Sequence, residues 1–170
     1  RIGARAGGYA AVVVTPEADF RERFGIRAGV EGGVAPGVAV GLDTRYGEYA
    51  DGPKLSATPR ITVGTADERL SVTAGYINLW ELDTGTRFDG WSARLRAVPA
   101  DRVALIAGAA MYPEVETGVT RNVTSLYGGA SYNVTDRLRL SASYANDEYE
   151  NLFTLHTVSV GISVQFAGTP

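Results

Sequence analysis

Between Thr154 and Phe166 the side chains alternate with a strict period of two. Thr154, His156, Val158, Val160, Ile162, Val164 and Phe166 fall on one side of an extended chain, and Leu155, Thr157, Ser159, Gly161, Ser163 and Gln165 on the other. One side is mostly apolar, the other small and polar. The preceding segment repeats the design, with Leu138, Leu140, Ala142 and Tyr144 against Arg139, Ser141, Ser143 and Ala145. Working back towards the N-terminus, residues 122–133, 102–112, 90–98, 69–82, 55–65, 37–49, 22–33 and 2–14 read the same way. They are rich in Thr, Tyr, Val and Ile, and no helix cap followed by a 3.6-residue period interrupts them. The pattern predicts an all-β chain of about ten strands.

The connections suggest which end is which. Gly33–Gly37, Ala66–Glu68, Pro99–Asp101 and Val134–Asp136 read as tight turns, whereas 15–20, 50–54, 83–89, 113–121 and 146–151 read as longer polar loops. Transmembrane barrels of the bacterial outer membrane have short periplasmic turns, longer external loops and an even strand number. An up-and-down antiparallel barrel with both termini periplasmic is therefore expected.

Alternation alone does not tell a soluble barrel from a membrane one, but the placement of charge does. The side opposite the apolar one carries Arg with Gly, Ser, Ala and Thr, as in Arg5, Gly7 and Tyr9, in Arg27, Gly29 and Glu31, in Asp43, Arg45 and Gly47, and in Arg94 and Arg96. A water-facing wall would normally carry Lys and Glu. This chain has a single lysine, Lys54, in an expected loop. Tyr46, Tyr76, Trp80, Trp91, Tyr132, Tyr144 and Phe166 all share the apolar side, as an interfacial aromatic girdle would require. The apolar side is expected to face outer-membrane lipid. It also holds Ala4, Ala6, Ala10, Ala107 and Ala109, thin in bulk for a hydrocarbon contact, which marks a surface for a protein partner.

Composition narrows the picture further. The 170 residues read as a single barrel domain, 1–170, with no interior linker. No run of about eighteen apolar residues occurs, so neither a transmembrane helix nor a signal peptide is expected. Because Arg1 opens directly into strand-like sequence, the chain is read as a mature protein or as a piece of a longer one. There is no cysteine for a disulfide or thiolate metal site, and a net charge of −3 without a basic run gives no reason to expect nucleic-acid binding. No metal or cofactor is expected.

Charge is segregated inwards. Arg5, Arg23, Arg27, Arg45, Arg60, Arg94, Arg96 and Arg139 fall on the inner side, against Glu31, Asp43, Glu81 and Asp147. Centring the turns sets Arg27 opposite Asp43, Asp43 opposite Arg60, and Arg5 near Glu31, a cross-strand ladder on the inner wall. Such pairs either neutralise charge in a plugged barrel or line a narrow passage for small anions or polysaccharide. A barrel of ten strands leaves little free lumen, although Ala104, Gly108, Gly129, Ser143, Ser159 and Gly161 leave room off-centre.

Some small outer-membrane barrels modify lipids with a His and a Ser or acid. The sole histidine, His156, lies on the outward parity with Ser159 on the opposite side, and only Asn146 and Glu148 are placed to approach it. A non-enzymatic role is therefore expected. The acidic stretches Glu114–Glu116 and Asp147–Glu150 are read as solvated outer loops.

The stretches Tyr112–Thr120 (YPEVETGVT), Leu126–Leu138 (LYGGASYNVTDRL) and Thr157–Phe166 (TVSVGISVQF) resemble the YaiO-type outer-membrane barrels, often the last domain of proteins with tetratricopeptide repeats. The resemblance covers about a third of the chain, and its last two stretches are generic to such barrels. The resemblance implies an envelope role, such as one in polysaccharide secretion, and supplies no catalytic residue. A terminal strand ending in Phe166 resembles the signal read by the barrel-assembly machinery, here followed by Ala167–Pro170. The leading expectation is an envelope structural component that anchors partners. A porin-like arginine-lined channel is the alternative, and a lipid-modifying enzyme is a more distant one.

Overall fold

The computed structural model describes residues 6–16, 22–116 and 119–165. They form one antiparallel sheet of ten strands in chain order, with no helix among the described residues. The strands are β1 (Ala6–Val14), β2 (Phe24–Ala35), β3 (Val38–Tyr49), β4 (Gly52–Gly64), β5 (Leu70–Glu81), β6 (Arg87–Ala100), β7 (Val103–Glu116), β8 (Val119–Asn133), β9 (Leu138–Tyr149) and β10 (Phe153–Val164). No ladder joins β1 to β10 among the described residues.

The strands β4, β6, β7, β8 and β9 run longer than their sequence limits, because polar residues at their ends continue the extended chain, whereas β3 and β5 are slightly shorter. The expected contrast between long and short connections is largely lost as a result. Ala50–Asp51 and Glu150–Leu152 are as tight as Pro36–Gly37 or Asp101–Arg102 at the opposite end. Lys54, expected in a loop, lies within β4. Local chemistry closes these turns. Pro36 presets the first corner of the β2–β3 turn and Gly37 takes the second at a φ of 73°. In the β4–β5 turn Asp67 accepts from the Thr65 hydroxyl at 2.5 Å and from the Arg69 amide at 3.2 Å. Those two bonds hold the Asp67 carboxyl below its usual range.

Side-chain parity survives every ladder. Ala6 pairs with Gly32, Gly32 with Val40, and the line continues through Ile61, Ala74, Ala93, Ala109, Leu126 and Asn146 to His156. All these residues lie on the apolar side. The line also climbs, starting at the β2–β3 end of β1 and finishing near the β9–β10 connection. The sheet is thus strongly staggered.

Register departs from the turn-centred expectation by two residues. Arg27 stands opposite Arg45, Asp43 lies between Gly29 and Thr58, and Arg60 is opposite Gly41 and Gly75. The cause is local. The β2–β3 turn is the pair Pro36–Gly37 next to an irregularity between Gly33 and Ala35, and the β3–β4 turn is Ala50–Asp51.

The apolar side chains do not form a conventional core. Among the described residues only Ala39 and Val123 are buried apolar groups, whereas Val158, Val160 and Ile162 are 74%, 80% and 71% exposed. Gly37→Ala tests the turn, since the added methyl would sit 2.5 Å from the Gly64 carbonyl oxygen at a positive φ. It is expected to lower stability by about 1–3 kcal/mol in denaturant titrations. Gly32→Ala, with nothing within 4 Å of the new methyl, is expected to change it by less than about 0.5 kcal/mol. Equal losses would contradict this account.

Candidate functional site

The wall opposite the apolar face carries nearly all the chemistry, and it divides into two halves. At the end bearing the β1–β2 connection, Arg27 and Arg45 face one another across the β2–β3 ladder. Two like charges in direct register repel. Glu22, folded in from the connection and only 4% exposed, resolves this by accepting 2.6 Å hydrogen bonds from Nη2 of both arginines. Burial opposes its ionisation, but the bond from Arg27 and the charge and bond of Arg45 outweigh it and hold its carboxyl below the usual range.

Lys54 is buried beside this clamp, 2.5 Å from Asp51 and 4.9 Å from the centre of the Tyr49 ring. A cavity of about 430 Å³ is lined by Glu22, Arg45, Tyr49 and Lys54 on one side and by Tyr112 and Glu114 on the other. Glu114 therefore lies on the inner wall and not in a solvated loop. Asp147, in the other acidic stretch, lies on β9 in register with Ser125 and Leu155.

Midway along the wall, Arg60 pairs with Asp43 and reaches Glu31 at 3.1 Å. The expected Asp43–Arg60 partnership is thus present, by diagonal reach rather than direct opposition. Gly41 makes it possible, since a Cβ there would lie 2.9 Å from Arg60 Nε. The Tyr9 hydroxyl donates to Asp43 at 2.9 Å. Arg27 does not join this group, and Arg5 lies outside the described residues.

The other half of the wall has a different character. Arg94 has no hydrogen-bond or ion-pair partner among the described residues. Arg96 donates to the Glu68 carbonyl at 3.3 Å, and Arg139 to the Asn133 side chain at 2.8 Å. Among the described residues, three sequence-identified arginines, none of them part of the expected ladder, therefore have no carboxylate in hydrogen-bond or ion-pair contact.

On the apolar face, Tyr46 and Trp80 lie near the β1–β2 end, Tyr76, Trp91 and Tyr144 closer to mid-strand, and Tyr132 near the opposite end. Phe166 is outside the described residues. The Tyr46 and Tyr76 hydroxyls donate to Glu48 and Asp89, and Arg87 stacks over Trp80. Polar residues thus rim the apolar belt at the β1–β2 end. His156 pairs in register with Asn146 and hydrogen-bonds Tyr144 at 2.7 Å, while Ser159 faces the other way.

Sequence reasoning missed Glu22, because it was read as the first residue of the strand 22–33, on the side opposite Arg23 and Arg27, whereas it precedes β2 and folds in from the connection. Lys54 was missed because the β3–β4 turn is shorter than its polar residues suggest. Together these observations define the chain as a ten-stranded antiparallel meander with one apolar face and, opposite it, a cationic one. No family model, curated protein or solved structure matches it.

The clamp predicts a pH response. Because the Glu22 carboxyl is held below its unfolded value, its contribution is full above that value and is lost as pH falls through the folded one. Wild-type stability is expected to fall more steeply between about pH 6 and about pH 3 than that of Glu22→Gln, which starts lower but runs flatter. Parallel curves in urea titrations would rule out the clamp as a source of stability.

Proposed function

We propose that the chain closes into a ten-stranded transmembrane barrel of the bacterial outer membrane, both termini periplasmic, and serves there as an envelope structural component that anchors partner proteins. The observation that carries this reading is the inverted burial. A water-soluble domain of this size buries about 70% of the surface its unfolded chain exposes and has a sizeable apolar interior. Among the described residues only two apolar side chains are buried, and most of the large exposed ones, though not Tyr9, Ile106 or Leu155, share the outer face. Lipid is the solvent that makes such a surface favourable.

Dimensions support the same reading. From Leu70 to Trp80 the outer face of β5 covers about 33 Å along the strand at about 3.3 Å per residue. At a tilt of about 40° this is about 25 Å of height, matching the apolar band of outer-membrane barrels. The stagger supports closure. Ten strands about 4.8 Å apart, tilted about 35–45°, need an accumulated offset of about 10–14 residues to close. The level line from Ala6 reaches His156, so an offset of about twelve residues brings Val12 beside Ile162 and Val14 beside Val160. Both pairs keep apolar side chains outward. An open edge in hydrocarbon would leave backbone groups unsatisfied.

Anchoring is supported by the outer face of β6 to β9. Ala93, Ala97, Ala107, Ala109, Gly128 and Ala130 adjoin one another there through the ladders, and small side chains let a partner's backbone approach closely within a membrane. Ala6 and Ala10 belong to a separate area on β1, next to Gly32 and Ala28. The resemblance to YaiO-type barrels fits an accessory role, and biogenesis through the barrel-assembly machinery follows from the fold class. A second reading, a narrow channel for small or linear anions, is favoured by unpartnered Arg94 together with the small inward residues Gly108, Gly129, Ser143 and Ser159.

Closure is tested in a chain with no native cysteine. Val12→Cys with Ile162→Cys is expected to form an intramolecular cross-link in outer-membrane preparations. Cross-links only between chains, or none for Val12 with any of residues 160, 162 and 164, would exclude direct closure. Channel activity is tested in planar bilayers: a resolvable open level whose anion preference falls in Arg94→Ala supports the second reading, and no open level removes it.

A further inference from the structure

We propose that the inner wall of β6 to β9, at the β2–β3 end, is a binding site for a small soluble oxyanion of the phosphate or dicarboxylate class. A cavity of about 460 Å³ opens there, lined by Arg96, Arg102 and Arg139 above a floor that includes Ser131, Ser141 and Ser143. That volume suits a small ligand.

The argument rests on how the three guanidiniums are held. Each carries five N–H donors, and each gives one to a neutral acceptor. Arg96 bonds the Glu68 carbonyl at 3.3 Å, Arg102 the Val134 carbonyl at 3.4 Å, and Arg139 the Asn133 side-chain oxygen at 2.8 Å. Such bonds orient a guanidinium without neutralising it. Asp101, the carboxylate on the rim, is 2.7 Å from Arg69 and strongly exposed, so its charge is already engaged outside the cavity. Arg27, Arg45 and Arg60 elsewhere on the same wall all contact carboxylates. One region therefore follows the usual rule of pairing a wall's charges, and the other keeps several forked donors unspent.

Guanidinium forks match the paired oxygens of phosphate and carboxylate better than they match a spherical ion. The Ser131 and Ser143 hydroxyls add donors that can also accept from a protonated phosphate oxygen, while Ser141, which donates to the Gly161 carbonyl at 3.4 Å, offers an acceptor. Because the cavity lies on the face opposite the apolar belt, the ligand is a free anion and not the headgroup of a surrounding lipid. The site depends on the ladders of β6 to β9 and on the β4–β5 turn, and so stands apart from barrel closure and from partner anchoring.

Isothermal titration of the purified full chain in detergent, with pyrophosphate, inorganic phosphate, succinate and chloride in turn, tests it. Saturable binding of pyrophosphate or succinate, with chloride inert, is expected. The stronger of the two assigns the phosphate or dicarboxylate preference. Arg96→Gln with Arg139→Gln is expected to weaken binding at least tenfold, whereas Arg87→Gln, which removes one charge from the outer face, is expected to leave it unchanged. Circular dichroism establishes that each variant retains its sheet. Should the double variant lose its sheet, the single variants are read instead, each with a severalfold loss expected. Absence of saturable binding in the wild type, or equal weakening by Arg87→Gln, would overturn the proposal. Binding that persists when the Val12–Ile162 cross-link fails to form would leave this site standing and remove only the closure.

Discussion

Side-chain parity, kept through nine consecutive ladders, is the constraint on which the rest of this structure depends. A strand has two faces and nothing between them, so a slip of one residue in any ladder would exchange the faces of every strand beyond it. None occurs along the line from Ala6 to His156. The irregularities at Gly33–Ala35 and Ala97–Ala100 lie next to turns, where they bend the hairpin without reaching the body of the sheet. Apolar and charged residues are thereby sorted onto opposite faces with few exceptions, without help from a layered core.

Sorting has an electrostatic consequence. Once the arginines share one face, their mutual repulsion has to be met by acids on that face, by neutral acceptors, or by something from outside. The strands β2 to β4 use the first route, with Glu22, Glu31 and Asp43. The strands β6 to β9 use the second, through the Glu68 and Val134 carbonyls and Asn133. Glycines assist by leaving space at the wall, so that Arg60 and Tyr9 can lie across it and reach partners that are not directly opposite.

The strands were legible because period two is a property of local sequence and needs no knowledge of neighbours. Thr154 to Val164 shows this most clearly, since nearly every position declares its face. Strand limits were less legible, because Glu114, Asn146, Asp147 and Glu148 are polar yet extended, and polarity alone made them look like loop. Register was legible only to within two residues. It depends on which two residues form the corner, and the stretch Gly33–Gly37 holds several candidates before Pro36 and Gly37 are seen to win. The inward position of Arg94, Arg96 and Arg139 followed from parity, but their lack of acidic partners did not, because pairing depends on register. Glu22 was misplaced for a different reason: it was read as strand, and outward by parity, but it precedes β2, where side-chain direction is set by tertiary contacts.

The order of strands also bears on how the chain assembles. Every ladder joins neighbours in sequence, so each hairpin can form from residues only a short distance apart, and loop closure costs little. In a closed barrel of this order, the seam between the first and last strands is the sole long-range joint. Assembly would then consist of many fast, local steps followed by one slow one, and before that step two adhesive edges remain available to other strands. For such a chain the time spent unsealed, more than the stability of the finished sheet, governs how much of it is lost to aggregation.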